Sequence, residues 1–135
     1  MDFEIIELMR RFMLDMRDSW TEGCRRLGLS APAAHVMTLL EQGPHPMRDL
    51  AAALNIDASY VTAIVDSLES AGLALRRADP TDRRVRVIEI TDRGHAALHD
   101  LFEDLSASNL LLARLTLDQR RELRDLLARC LDAGT

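Results

Sequence analysis

Apolar residues recur along this chain with helical spacing in six segments and with strand spacing in a short stretch between the fourth and fifth. Over residues 3–27, Phe3, Ile6, Met9, Met13, Met16 and Trp20 fall near one face, with Ile5, Leu8 and Phe12 beside them. That stripe is wider than one small domain needs. Gly28 interrupts it. A second helix is predicted over 31–42, opened by Ser30 with Pro32 in its first turn and closed by Gly43-Pro44. Val36, Leu39 and Leu40 are its apolar positions. A short third helix follows over 47–54, although Pro46 stands where a Ser or Thr cap is expected. Asn55-Ile56 then turns the chain into a fourth helix, with Asp57 as its N-cap and Gly72 at its end. In that helix Val61, Ile64, Val65 and Leu68 face one way, and Ser59, Thr62, Ala63 and Asp66 the other.

Two extended runs come next, 73–77 and 85–90, separated by the turn-rich Ala78-Asp79-Pro80-Thr81-Asp82. In the second run, alternation puts Val85, Val87 and Glu89 on one face and Arg86, Ile88 and Ile90 on the other. Thr91 is expected to cap a fifth helix over 92–112, striped by Leu98, Leu101, Phe102, Leu105 and Leu112. Thr116-Leu117-Asp118-Gln119 is a capping box opening a sixth helix to about residue 132. Leu123, Leu126, Leu127, Cys130 and Leu131 are its inward side.

Two short helices joined by a tight turn, the second followed by a two-stranded ribbon, predict a winged helix-turn-helix. The fold class is mainly α (α+β), with a two-stranded wing and terminal helices left over. Such a helix fits the major groove of duplex DNA, and the ribbon tip reaches the adjacent minor groove or the phosphates. Helices one, five and six carry more apolar surface than this module covers. The economical partner is a second copy, and two reading helices about 34 Å apart would then meet a palindromic operator. The division expected is 1–30 with 95–135 for dimerisation and 31–94 for the reading lobe.

Composition changes this picture little. At 135 residues the chain is expected to be one compact domain or one protomer of a small assembly, and 47% hydrophobic with 4% aromatic residues means an aliphatic core. No apolar run approaches the roughly 20 residues of a membrane span. The acidic start, Met1-Asp2-Phe3-Glu4, is no signal peptide, so a cytoplasmic protein without membrane contact is expected. A net charge of −5 argues against a polyanion partner. The distribution argues for one, because residues 76–86 hold five arginines (Arg76, Arg77, Arg83, Arg84, Arg86) against two aspartates. Cys24 and Cys130 have neither CxxC nor finger spacing and read as reduced thiols. As an oxidant sensor, Cys24 is the better placed of the two, beside Arg25 and Arg26.

The stretch from Leu27 through Gly94 resembles the MarR family (multiple antibiotic resistance regulators). It does so in Leu27-Gly28-Leu29-Ser30, Gly43-Pro44, Asp49-Leu50-Ala51, Ser59-Tyr60-Val61-Thr62, Val65-Asp66-Ser67-Leu68-Glu69 and Ala71-Gly72-Leu73. Above all it does so in Asp79-Pro80-Thr81-Asp82-Arg83-Arg84 followed by Ile90-Thr91-Asp92-Arg93-Gly94. The resemblance implies a dimeric winged-helix transcription factor, usually a repressor, whose terminal helices make the dimer interface. It implies a helix from Asp57 that enters the major groove, and an Arg84 that reaches the minor groove with Asp82 bracing it. Many members carry Arg at the position of Ala63. Without it, base reading falls on Ser59, Tyr60 and Thr62, and affinity on Arg83, Arg84, Arg86 and Arg48.

The resemblance further implies a small-molecule cleft between the dimer helices and the reading lobe, often for phenolic or other aromatic acids. Its candidates are Met13, Met16, Trp20, Met37 and Phe102, with Arg17 and His35 as polar contacts, while the plainer reading of the Met and aromatic side chains, Met9 included, is core and dimer interface. Met and aromatic side chains suit such a pocket. His95 and His99 stand at i, i+4, a metal-capable spacing, and some members sense zinc nearby, with Asp18, Cys24 and His35 as partners here. The plainer reading is an exposed polar face, and no metal or cofactor is expected. No Ser-His-Asp order, phosphate loop or HExxH is present, so no enzyme is expected. The alternatives are a winged-helix module that binds acidic proteins through its arginines and a metal- or redox-responsive regulator.

Overall fold

The computed structural model describes residues 1–108 and 110–132. Its elements run α1 (Asp2–Arg26), α2 (Ala31–Leu40), β1 (His45–Pro46), α3 (Met47–Leu54), α4 (Ala58–Ser70), β2 (Ala74–Ala78), β3 (Arg86–Ile90), α5 (Asp92–Ser108), α6 (Leu110–Ala113) and α7 (Leu117–Asp132). The expected mainly helical winged helix-turn-helix is present. The fifth helix was expected from 92 to about 112; α5 covers Asp92–Ser108 and α6 Leu110–Ala113, and position 109 lies outside the described residues.

The helix ends follow from local chemistry. Ser30 Oγ accepts the backbone N–H of Ala33 at 3.2 Å and opens α2. Thr116 and Gln119 close the reciprocal box at the start of α7, at 2.9 and 3.2 Å. Asn55 ends α3 in the left-handed region, φ 52°, which makes the tight turn into α4. Asp57 does occupy the N-cap of α4 with extended backbone, but its side chain makes no capping hydrogen bond there. Its contribution is therefore position and negative charge at the positive end of the helix. Thr91 Oγ1 accepts Gly94 N–H at 3.0 Å and donates to Gly72 O at 2.7 Å, tying the start of α5 to the end of α4. A Cβ at Gly94 would stand 2.1 Å from the Leu73 carbonyl oxygen, so only glycine fits that crossing.

The wing is part of a three-stranded antiparallel sheet in the order β1-β3-β2, rather than a free two-stranded ribbon. Ala74 to Ala78 pair with Ile90 to Arg86, and His45-Pro46 pairs with Ile88-Val87 on the other side. Proline at a sheet edge lacks only an N–H that the edge does not use. Val87, flanked by Pro46 and Arg77, is buried together with Ile88, so strict alternation of faces fails in the covered part of β3.

One core joins Cys24 of α1, most of α2, Leu50, the apolar stripe of α4, Ile88 and Ile90 of the sheet, and Leu98, Leu101 and Leu105 of α5. The leucines of α7 do not reach it. No residue of α7 is buried and Leu131 is 76% exposed, against the expectation of an inward face. Leu123 and Leu127 only line an open groove with α1, so the described residues leave this side of α7 largely uncovered.

Candidate nucleic-acid interface

The inner face of α4 is fixed by Val61, Ile64, Val65 and Leu68, all buried. The opposite face is therefore held outward, and Ser59, Tyr60, Thr62 and Ala63 are all exposed on it. Thr62 donates its hydroxyl to Ala58 O at 3.0 Å, so toward a base edge it keeps only its acceptor side. Arg48, in the first turn of α3, is exposed and only loosely paired with Asp49 at 3.7 Å.

At the wing tip two aspartates shape the backbone. Asp79 Oδ1 accepts the Thr81 N–H at 2.9 Å and the Thr81 hydroxyl at 2.8 Å. Those two bonds, the N–H first, hold the Asp79 carboxyl below the usual aspartate range. Asp82 Oδ1 accepts the Arg84 N–H at 3.1 Å. Asp82 thus braces Arg84 through the main chain and leaves the guanidinium uncommitted. Arg83, Arg84 and Arg86 are exposed, and their side chains have no acidic partner among the described residues.

The other two arginines of the cluster differ. Arg76 of β2 donates to Asp66 at 2.5 Å and to Glu69 at 2.8 Å, both on α4, and is held toward its charged form by Asp66 above all. Arg77 pairs with Glu89 across the ribbon. Charge counting along the sequence could not separate these paired arginines from the free ones. The available signal was the i, i+3 pair Asp66 and Glu69 on the helix before them.

The MarR family profile matches residues 29–85, the stretch that carries α2 through most of the wing. The HTH-type transcriptional regulator MhqR of Bacillus subtilis is 31% identical over 101 residues, 74% of this chain and 70% of that protein. The chain belongs to the MarR family. As a member it is a DNA-binding transcriptional regulator. Among solved structures, a point mutant of S. aureus MepR bound to an oligodeoxyribonucleotide superposes with a TM-score of 0.68 over 97% of this chain and 98% of that one. At 19% identity that likeness shows the fold. CouR from Rhodococcus jostii RHA1, bound to p-coumaroyl-CoA, is 25% identical with a TM-score of 0.70, over 91% of this chain and 88% of that one.

In this MarR-family chain the candidate cleft residues separate into three groups. Trp20, His35 and Phe102 come together from α1, α2 and α5. The Trp20 and His35 rings stack with centroids 5.1 Å apart, and Phe102 meets Trp20 edge-on at 5.8 Å. Trp20 Nε1 is buried and has no hydrogen-bond partner among the described residues. Arg17 is exposed and Met16 half-buried on the same helix. Met37 instead lies fully inside the core, because most of α2 is buried: Ala33, Ala34, Val36 and Leu40 go in with it. Met13 belongs to a separate apolar groove of about 630 Å³, lined by Leu8, Met9 and Phe12 of α1 and Leu123 and Leu127 of α7.

The structure bears on the redox and metal readings of the sequence. Cys24 is 1% exposed, and burial pushes its thiol up, away from the reactive thiolate. Its neighbouring charges are also engaged, Arg25 with Glu22 at 2.8 Å and Arg26 with Asp104 at 3.0 Å. Cys24 therefore lacks the exposed, electropositive setting of an oxidant sensor, whereas Cys130 is exposed. His95 Nδ1 lies 2.7 Å from Glu41 and His99 Nε2 3.3 Å from Glu103, so the two rings face different carboxylates. Among the described residues no group of three or more His, Cys, Asp and Glu side chains is arranged to hold a metal. No described helix is long and apolar enough to cross a membrane.

Proposed function

We propose that this chain works as a homodimeric repressor on a palindromic operator and leaves it when a small aromatic acid binds. Residues 31–94 form the reading lobe; residues 1–30 and 95–135, of which 109 and 133–135 lie outside the described residues, hold two copies together. Ser59, Tyr60 and Thr62 read base edges, with Ala63 allowing close approach. Arg84 enters the minor groove, where a narrow groove concentrates negative potential. Arg83, Arg86 and Arg48 take phosphates. The work is binding, in the cytoplasm, with no catalytic step.

The observation that carries the reading is the contrast within one arginine cluster. Arg76 and Arg77 are paired, while Arg83, Arg84 and Arg86 at the tip are left without any acidic partner among the described residues. Unpaired guanidiniums on a shaped hairpin suit an external polyanion. MepR, bound to an oligodeoxyribonucleotide, supports DNA as that polyanion. CouR, bound to p-coumaroyl-CoA, supports an aromatic acyl ligand. The Trp20, His35 and Phe102 rings would take the aromatic part of a small aromatic acid, and Arg17 its carboxylate. A ligand favouring a lobe spacing that misfits DNA releases the operator by population shift.

The test is a reporter gene placed behind the duplex that the purified protein enriches from a random DNA pool. Supplying the protein is expected to lower reporter expression. Unchanged expression with the duplex occupied would remove repression from the account.

A further inference from the structure

Arg76 is committed to carboxylates of its own chain rather than left for an external anion. It sits in the middle of β2, with its side chain 27% exposed. Its guanidinium bridges two carboxylates one turn apart on α4, Nη2 to Asp66 at 2.5 Å and Nη1 to Glu69 at 2.8 Å. The second oxygen of Glu69 also accepts the Arg76 backbone N–H at 3.1 Å. β2 is an edge strand, since β3 lies between it and β1. Glu69 thus fills a main-chain donor on the free edge, and the same residue is held at three points. A planar fork holds its donors in fixed directions for such a bridge, which a lysine's single rotating ammonium does not.

We infer that Arg76 is a positioning residue for DNA recognition: its bridge to Asp66 and Glu69 sets the angle between the wing and the reading helix, and so decides whether Arg84 arrives. Three physical points support it.

The first is leverage. The ribbon leaves the end of α4 at Gly72, and its five-residue strands carry the tip about 17 Å outward. A swing of roughly 10° at the base would displace the tip by about 3 Å, the length of a hydrogen bond. The covalent turn and the Thr91 to Gly72 bond fix the base, and β1 holds β3 at Ile88 and Val87 from the side away from α4. On the β2 side, Arg76 fastens the strand to α4 through its side chain and its main chain.

Charge is the second. Asp66 lies on the outward side of α4, in line with Thr62 and Ala63, where an uncompensated carboxylate would repel phosphates. Arg76 lies against it and cancels that repulsion locally.

The third is economy of stability. The two carboxylates of the bridge are exposed, and solvent-screened pairs of this kind contribute little to folding. Its worth is in direction, so the fold survives its removal.

This inference rests on the reading that Arg84 contacts DNA, and the experiment separates the two. The probe is the duplex enriched by the protein from a random DNA pool. The quantity is the affinity lost on Arg84→Ala, measured in three backgrounds: the unaltered chain, Arg76→Ala, and Asp66→Asn with Glu69→Gln. The third background breaks the bridge while keeping Arg76, and covers the case in which Arg76→Ala fails to fold. In the unaltered chain Arg84→Ala is expected to cost roughly tenfold or more. In both bridge-broken backgrounds it is expected to cost about threefold or less, because a wing that is no longer aimed has already lost most of the contact. An equal cost in all three overturns the positioning role. So does an Arg76→Ala loss that adds independently to that of Arg84→Ala and lowers the salt slope by about one, which would make Arg76 a phosphate contact itself. No cost for Arg84→Ala in the unaltered chain sinks the wing reading, and the inference with it.

Discussion

The Trp20 indole lies against the His35 imidazole, ring centroids 5.1 Å apart and planes 24° from parallel. This contact joins the long first helix to the helix that leads into the reading lobe. On the proposed reading a planar ligand enters here, where Trp20 Nε1 is buried with no acceptor among the described residues.

Aromatic carboxylates are therefore expected to quench the fluorescence of Trp20, the chain's one tryptophan, and to weaken operator binding in parallel. His35→Ala should raise the ligand concentration needed for both effects by roughly tenfold, the loss of about 1.4 kcal/mol of stacking and polar contact. Titration with benzoate and cinnamate derivatives checks this. Quenching with no change in DNA affinity would uncouple the site from the switch.

Arg84→Ala is expected to weaken operator binding by about tenfold or more and to reduce the salt slope by about one. Arg77→Ala should leave the slope unchanged, since its partner is Glu89 on the same ribbon. Affinity measured across a salt series decides it. Equal slopes for all three proteins would remove the wing tip from the contact.

A charge in the apolar groove should separate the copies. Leu127 lines that groove and is 45% exposed in the single chain, so Leu127→Glu should change monomer stability by no more than about 0.5 kcal/mol. Sedimentation is expected to show a dimer for the unaltered chain and a monomer for the variant, with operator binding lost. A variant that stays dimeric would put the interface elsewhere.

Gly94→Ala should destabilise the fold by about 1–3 kcal/mol or shift the start of α5, because its Cβ would meet the Leu73 carbonyl oxygen. Urea unfolding of the two proteins measures it. A neutral substitution would mean that the α5 to β2 crossing opens freely.

Much of this was legible in the residues themselves. Ser30, Thr91 and the Thr116 to Gln119 box announce their helix ends because capping is local chemistry. The stripe of α4 and the pairing of β2 with β3 follow from period and turn. What the sequence concealed depends on partners distant along the chain. His45-Pro46 is too short to show a strand period, and only β3 makes it a strand. Arg76 and Arg84 look alike in a list of charges, and carboxylates seven and ten residues before Arg76 make the difference. Met37 and Met13 were candidates for one cleft by residue type, yet the depth of α2 buries the first and the course of α1 carries the second to another groove. Hydrophobic period names the apolar side of α7 and is silent on what covers it.

The central claim is that two copies of this chain grip one symmetric duplex through their wings and reading helices. The most direct measurement is the stoichiometry and affinity of the purified protein on its enriched palindrome and on a scrambled duplex of equal length, repeated over a range of salt. The account predicts one pair of chains per palindrome, a preference of roughly 10³-fold or more over the scrambled duplex, and affinity that falls steeply and linearly in log salt. A single bound chain, or equal affinity for the two duplexes at every salt concentration, would contradict it.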